Sequence, residues 1–184
     1  MPRFAALLRG IAPSGANMTN DKLRAVFEGL GFEDVASVLS SGNIVFRSSG
    51  ADAPLLEQRI EEALARELGL ASRALLRSST ELRTLVDSDP FPGVTHDSRT
   101  YLTATFIKDP EPTAVVVPRR LDTGTNIVRY DAAARAVLAI TDNSQPNRAR
   151  GLMLWLEASY GKGITTRSWL TVQRIARKLD GWAT

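Results

Sequence analysis

The sequence contains no cysteine and only one histidine among its 184 residues. The missing thiols exclude disulfide bonds, thiolate nucleophiles and cysteine-ligated metals. One histidine is too few for most zinc sites, which draw on several His or Cys ligands. Asp97 and Ser98 stand beside His96, but a catalytic triad needs three side chains that converge from separate segments. We therefore expect no metal site, and the sequence identifies no catalytic residue.

Long apolar runs are also missing. The first one, Phe4–Leu8, stops after five residues at Arg9. A signal peptide needs an apolar stretch of roughly 7–15 residues, and a membrane helix needs ~20. The sequence thus predicts a soluble, cytoplasmic protein with no membrane partner.

Charge is unevenly distributed along the chain. Residues 1–92 carry 10 basic and 12 acidic side chains, a net charge of −2, whereas residues 93–184 carry 13 and 8, a net charge of +5. A basic carboxyl-terminal region can attract phosphates or nucleic acid. The abundance of Arg and Ala is also typical of a GC-rich genome, which is the simpler explanation, and the attraction of phosphates or nucleic acid stays open as the alternative.

The first half of the chain shows the order β-α-β-β-α-β. Thr19 and Gly31 are start and stop signals for a helix with apolar residues at i, i+3, i+4 and i+7. A second helix is expected over 54–68, and strands are expected at 3–9, 35–39, 44–47 and 72–76. This order is that of a ferredoxin-like split βαβ unit. In that topology the loop at 9–17 and the hairpin turn at 40–43 leave the same end of the sheet.

The second half predicts a related α+β arrangement. Strands are expected at 101–107, 126–130 and 136–141, and helices at 81–86 and 153–160. An amphipathic helix, with Trp169, Val172, Ile175, Ala176 and Leu179 along one side, ends the chain. We expect one subdomain over 1–88 and a second over 89–184.

Three segments contain the polar and glycine residues that are candidates for a site. Gly10–Asn17 joins a strand to a helix, and the amino terminus of a helix can bind an anion. Ser41-Gly42-Asn43 is typical of a hairpin turn. Thr165-Thr166-Arg167-Ser168 precedes the last helix, where hydroxyls can cap the helix and an arginine can bind carboxylate or phosphate.

Taken together, these motifs resemble the bacterial DUF 1697 family. The segments that carry the resemblance are 6–11 with Asn17, 41–46 and 166–172, and the resemblance covers essentially the whole chain. It implies an α+β fold with ferredoxin-like parts, and it implies no particular activity, substrate or cofactor. Ser40, Ser168 and Leu170 stand where the family pattern favours Gln, Asn and Asn, so a site built on those amides would be altered in this protein.

Three functional hypotheses follow. The first is a pocket for a small anionic ligand, bearing phosphate or carboxylate, at the loops 9–17, 40–43 and 165–168. The residues expected to bind this ligand are Arg9, Gly10, Asn17, Ser41, Gly42, Asn43, Thr166, Arg167, Trp169 and Thr171. The second is nucleic-acid binding through the basic carboxyl-terminal region. The third is a non-enzymatic protein-interaction module in which the motif residues are purely structural. Cofactor and oligomeric state stay open.

Overall fold

In the part of the chain that the structure describes, two four-stranded antiparallel sheets and five helices form the α+β fold. The computed structural model describes residues 1–12, 14–40, 42–108, 124–144 and 150–181. These residues belong to two units, the first made of Met1–Arg83 and Arg174–Thr184 and the second of Thr84–Gln173. The division at 88 and 89 that the sequence predicts for domains stays a prediction.

The first sheet has the strand order β2-β3-β1-β4, with all neighbours antiparallel. It belongs to a β-α-β-β-α-β unit followed by a further helix, so the expected ferredoxin-like order is confirmed. The elements are β1 (Arg3–Leu8), α1 (Asn20–Gly29), β2 (Glu33–Ser37), β3 (Asn43–Arg47), α2 (Ala53–Leu68), β4 (Ala74–Ser78) and α3 (Ser79–Asp87).

Both helices of this unit begin and end where the sequence predicts. The Thr19 hydroxyl accepts the Lys22 N–H at 3.4 Å, and the Asp52 carboxylate accepts the Leu55 N–H at 3.0 Å. Gly69 ends α2 in the left-handed conformation, with φ +66°. The apolar sides of α1 and α2 cover one face of the sheet and bury a core that includes Phe27 and Phe46.

The second sheet repeats the strand order of the first as β6-β7-β5-β8. Its core lies between the sheet and α4 and includes Val137, Leu156 and Ile164. The elements are β5 (Thr100–Ile107), β6 (Thr125–Asp131), β7 (Ala136–Asp142), α4 (Arg150–Tyr160), β8 (Ile164–Ser168) and α5 (Trp169–Asp180). The expected second, related α+β half is confirmed.

The segment before the last helix was assigned wrongly from the sequence, and the strands expected at 35–39 and 72–76 lie two residues away, at Glu33–Ser37 and Ala74–Ser78. Residues 165–168, expected as a loop before the last helix, belong to strand β8, which pairs with β5 from Ile164 to Ser168. The β-branched threonines suit a strand whose side chains are half buried. Of the hydroxyls expected to cap the helix, that of Ser168 does so, because it accepts the Thr171 N–H at 3.3 Å.

The outer edge of β4 is protected by carboxylates. Arg9 N–H donates to Arg73 O at 2.9 Å. Since hydrogen bonding alternates along an antiparallel pair, the backbones of residues 73, 75 and 77 bond to β1. The N–H groups of Ala74, Leu76 and Ser78 therefore point away from β1. Each of these three outward N–H groups donates to an acid, with Glu61 at 2.9 Å, Glu57 at 2.7 Å and Glu81 at 2.7 Å as the respective acceptors. An edge whose donors are occupied cannot pair with another strand.

We predict that Glu57→Ala destabilises the protein by about 2 kcal/mol, because Glu57 is only 3% exposed and its loss leaves the buried Leu76 N–H without an acceptor. Urea unfolding followed by circular dichroism measures the change. Glu62→Ala is the control, because Glu62 is exposed on the same helix and should change stability by no more than about 0.5 kcal/mol. Equal effects of the two substitutions would contradict the role assigned to Glu57.

Candidate functional site

The loop after β1 and the turn before β3 meet at one end of the first sheet, as the strand order predicts. Leu8 N–H donates to Gly42 O at 2.8 Å. A Cβ added at Gly42 would lie 2.7 Å from Ile11 Cγ1 and 3.1 Å from Leu8 Cβ. The backbone of the turn therefore packs directly on the loop, and only glycine leaves the space for this contact.

Several backbone donors collect at this meeting point. Among the residues that the structure describes, no acceptor faces the N–H groups of Gly10, Ile11 and Gly42. The neighbouring Ala12 N–H points at Met18 Sδ, 3.2 Å away, and a thioether is a weak acceptor. Gly10 and Gly42 both have positive φ, +75° and +72°. Successive N–H groups in such a conformation form a concavity that suits an anion.

The predicted amides in this region are bonded to nearby backbone. Asn43 is fully buried, and its Nδ2 donates to Val38 O at 3.0 Å, which closes the hairpin. Asn17 Nδ2 donates to Leu68 O, the last residue of α2, at 3.3 Å, and Asn17 Oδ1 accepts from Lys22 Nζ at 3.0 Å. Both amides therefore hold chain segments in place.

Arg9 follows β1 directly and is half buried. Its carbonyl accepts the Ser72 hydroxyl at 2.8 Å, which ties the start of the loop to the segment before β4. Ser41, the remaining predicted residue of this group, lies outside the described part of the chain. The structure thus places Arg9, Gly10, Gly42 and Asn43 around one end of the first sheet.

Thr166 and Arg167 lie in the second unit, on β8. Thr166 Oγ1 is 2.8 Å from Thr105 Oγ1 on the neighbouring strand. Arg167 Nη1 donates to Thr165 Oγ1 at 2.7 Å and to Thr166 O at 2.9 Å. Burial lowers the pKa of Arg167 to about 10, so the guanidinium is still a cation at neutral pH.

Trp169 and Thr171 belong to the first turn of α5. The Trp169 side chain is 6% exposed, and its ring meets Phe91 edge-on with centroids 5.2 Å apart. Thr171 Oγ1 is 2.9 Å from the Ser168 hydroxyl that caps the helix. Both side chains therefore make stabilising contacts within the second unit. Their binding to a ligand stays a prediction.

The predicted site residues thus fall into two groups. The loop and turn residues belong to the first unit, and Thr166, Arg167, Trp169 and Thr171 belong to the second. Within each unit the structure brings the members of a group together. A single pocket made of all three segments stays a prediction.

His96 has a structural contact. Its Nδ1 accepts the Leu102 N–H at 3.2 Å, and its ring lies against Tyr101 with centroids 4.8 Å apart. Asp97 accepts the N–H groups of Thr100 at 2.7 Å and Arg99 at 2.8 Å, and these hydrogen bonds lower the pKa of its carboxyl group. The two side chains thus stabilise a loop.

Aromatic residues of the first sheet do not offer a surface for stacking bases. Phe4 and Phe46, on β1 and β3, are 5% and 0% exposed and belong to the core beneath α1 and α2. The basic residues Arg174, Arg177 and Lys178 of α5 are exposed. Nucleic-acid binding therefore depends on this basic surface alone and stays a prediction.

Sequence reasoning missed Arg77, which is completely buried on β4 together with its neighbours Ala5 and Leu75 on the same face of the sheet. A signal was present. Arg77-Ser78 and Arg167-Ser168 each end a strand and begin a helix, and they occupy corresponding positions in the two halves. Comparison of the two halves would have identified both arginines as a repeated feature.

These features define a class of two-part α+β proteins, with a ferredoxin-like first half and a second half of the same strand order. The chain belongs to the family described as "Protein of unknown function (DUF1697)", whose family model matches residues 1–133. No curated protein matches the chain. Among the described helices, none is long and apolar enough to cross a membrane.

A solved structure with the same fold is that of the conserved bacterial protein SP0830 from Streptococcus pneumoniae. The two chains share 21% sequence identity and superpose with a TM-score of 0.71. The alignment covers 97% of this chain and 98% of the other. At this level of identity the similarity is evidence for the fold alone.

Two glycine substitutions distinguish the destabilisation caused by backbone strain from that caused by a steric clash. Gly10→Ala and Gly42→Ala both force an L-residue into the left-handed region, which costs about 1–2 kcal/mol. Only Gly42→Ala also creates a clash, because nothing lies within 4 Å of a Cβ at Gly10. We expect Gly42→Ala to destabilise by roughly 1–3 kcal/mol more than Gly10→Ala in urea unfolding. Equal losses would show that the turn does not pack tightly on the loop.

Proposed function

We propose that the protein binds a small anionic ligand, bearing phosphate or carboxylate, at the end of the first sheet where the loop after β1 meets the turn before β3. The observation that supports this most directly is the group of backbone N–H donors of Gly10, Ile11 and Gly42, for which no described residue is an acceptor. Buried or clustered N–H groups normally have acceptors, so an anion would complete their hydrogen bonding.

The surrounding charges favour a negative ligand. Arg9 stands at the start of the loop, and Lys22 Nζ lies 3.0 Å from Asn17 Oδ1 and 3.0 Å from Ala16 O at its end. The nearest acid along the chain, Asp21, is neutralised by Arg24 at 2.5 Å. An arginine can add a charge-assisted hydrogen bond to a ligand that the backbone has already oriented.

An interaction module is the second candidate function. The supporting observation is that the side chains of Asn17, Asn43 and Ser168 make hydrogen bonds within their own units. Residues with such contacts stabilise a fold whether or not it binds a small molecule. Under this alternative the motifs would maintain a scaffold, and the functional surface would lie elsewhere.

Phosphate titration monitored by amide NMR tests the proposal. In ¹H–¹⁵N spectra, inorganic phosphate should produce saturable downfield shifts at Gly10, Ile11 and Gly42, because an N–H that gains an anionic acceptor is deshielded. Sodium chloride at equal ionic strength is the reference. Shifts confined to Arg174, Arg177 and Lys178 would instead indicate nonspecific binding to the basic helix, and the absence of saturable shifts would overturn the proposal.

A pair of charge variants tests the role of Arg9. Arg9→Gln should weaken phosphate binding by about tenfold, because a hydrogen bond to a charged group contributes about 1.5–3 kcal/mol. Arg66→Gln is the matched control, since Arg66 is exposed on α2 and pairs with Glu67 at 2.9 Å. Equal affinities of the two variants would exclude Arg9 from the site.

A further inference from the structure

The four edge strands of the two sheets are protected to different degrees. In β2 the register shifts between Glu33 and Ala36, and in β6 it shifts between Ile127 and Arg129. Such irregularities and charged side chains both oppose pairing with another chain. The edge of β4 is blocked by three carboxylates. The remaining edge is β8, whose register with β5 is regular from Thr103 to Ile107.

β8 corresponds to β4 residue by residue. Arg77 is opposite Ala5 in the register of the first sheet, and Arg167 is opposite Ala104 in the second. Each arginine donates through Nη1 to the carbonyl of the preceding residue, at 2.6 Å for Arg77 and 2.9 Å for Arg167. Each is followed by a serine at the start of a helix. The polar groups around the two arginines can therefore be compared directly.

In β8, as in β4, alternate residues bond to the neighbouring strand, and corresponding residues do so in the two strands. Lys108 N–H donates to Gly163 O at 2.7 Å, so Gly163, Thr165 and Arg167 bond to β5. The N–H groups of Thr166 and Ser168 consequently point away from the sheet. They correspond to the N–H groups of Leu76 and Ser78, which donate to Glu57 and Glu81.

Among the described residues, no carboxylate is a hydrogen-bond acceptor for the N–H groups of Thr166 and Ser168, as Glu57 and Glu81 are for those of Leu76 and Ser78. Residues 143–156, which include most of α4, contain no acidic side chain. Thr171 has the position relative to Ser168 that Glu81 has relative to Ser78, three residues later. Glu81 accepts the Ser78 backbone N–H, whereas the Thr171 hydroxyl contacts the Ser168 side chain. Among the described residues, no acceptor faces the N–H of Thr166 or Ser168.

We propose that the edge of β8 is a carboxylate-binding site. The carboxylate oxygens would accept the N–H groups of Thr166 and Ser168, in the place that Glu57 and Glu81 occupy in the first unit. The Arg167 guanidinium, held at this edge by its bond to Thr166 O, supplies the complementary positive charge. This site is made of residues of the second unit and the loop site of the proposed function of residues of the first, and different amides report on them, so each proposal can fail without the other.

The ligand is a small dicarboxylic acid, because the two outward N–H groups lie about 6.6 Å apart along the strand and each needs its own carboxylate. Two separate carboxylates, those of Glu57 and Glu81, serve the corresponding N–H groups of the first unit. Glutarate is a suitable probe, since it carries the terminal group of a glutamate side chain. A second copy of this chain could present the same group through an acidic side chain. Sedimentation velocity distinguishes a free organic acid from a second copy of the chain. Only binding between two copies would produce a dimer in the free protein, and added glutarate would dissociate that dimer.

Amide NMR with glutarate gives the primary test. Saturable downfield shifts of the Thr166 and Ser168 amide protons are expected, and they should exceed those produced by chloride at equal ionic strength. Gly10, Ile11 and Gly42 report on the loop site in the same spectra, so the two proposals are read separately. The inference would be overturned if the chemical shifts of the Thr166 and Ser168 amide protons did not change during the titration, whether or not other amides showed saturable shifts.

A substitution on α4 supplies the missing acid within the chain. Met153 Sδ lies 3.7 Å from Thr166 Oγ1, so a carboxylate at position 153 would lie beside the residue whose N–H points outward. Met153→Glu should therefore abolish the glutarate response of Thr166. It should also melt at a higher temperature than Met153→Gln, which has the same shape without the charge. A glutarate response retained in Met153→Glu, or equal melting temperatures, would contradict a carboxylate site at this edge.

Discussion

The edge of a β-sheet presents a row of backbone N–H groups that need acceptors, and this requirement determines much of the first unit. At β4 the acceptors are Glu57 and Glu61 of α2 and Glu81 of α3. Their reach dictates where α2 lies along the sheet, because both of its carboxylates must meet the same strand. Glu81 also accepts the Ser78 hydroxyl at 2.8 Å, so the same acid protects the edge and begins the next helix.

The second unit has the same strand order and the same arginine position but a different set of polar groups. Threonine hydroxyls take the place of acids around β8, as in the 2.8 Å contact between Thr105 and Thr166. A hydroxyl can both donate and accept, so it can satisfy another side chain without accepting a backbone N–H. Among the described residues, the three outward N–H groups of the first edge therefore have acceptors, whereas those of Thr166 and Ser168 at the second edge have none.

Sequence patterns located most of the described elements and missed strand β8. Thr19, Asp52 and Gly69 are local signals, and α1 and α2 were placed correctly because capping depends on residues within one turn. β8 was missed because Thr-Thr-Arg-Ser has no apolar alternation, and its strand conformation results from pairing with β5. Arg77 was not recognised as a buried residue, because its burial depends on which face of β4 is covered.

The sequence by itself determined the class of fold, the approximate position of most elements and the adjacency of the first loop and the hairpin turn. It could do so because caps, periodicity and strand order are local or topological properties. Only the tertiary structure decided which backbone donors have acceptors. The acceptor of Leu76 N–H is 19 residues away in the chain, and the N–H of Thr166 has none among the described residues. Such pairings depend on the packing of whole helices against a sheet edge, which no short segment encodes.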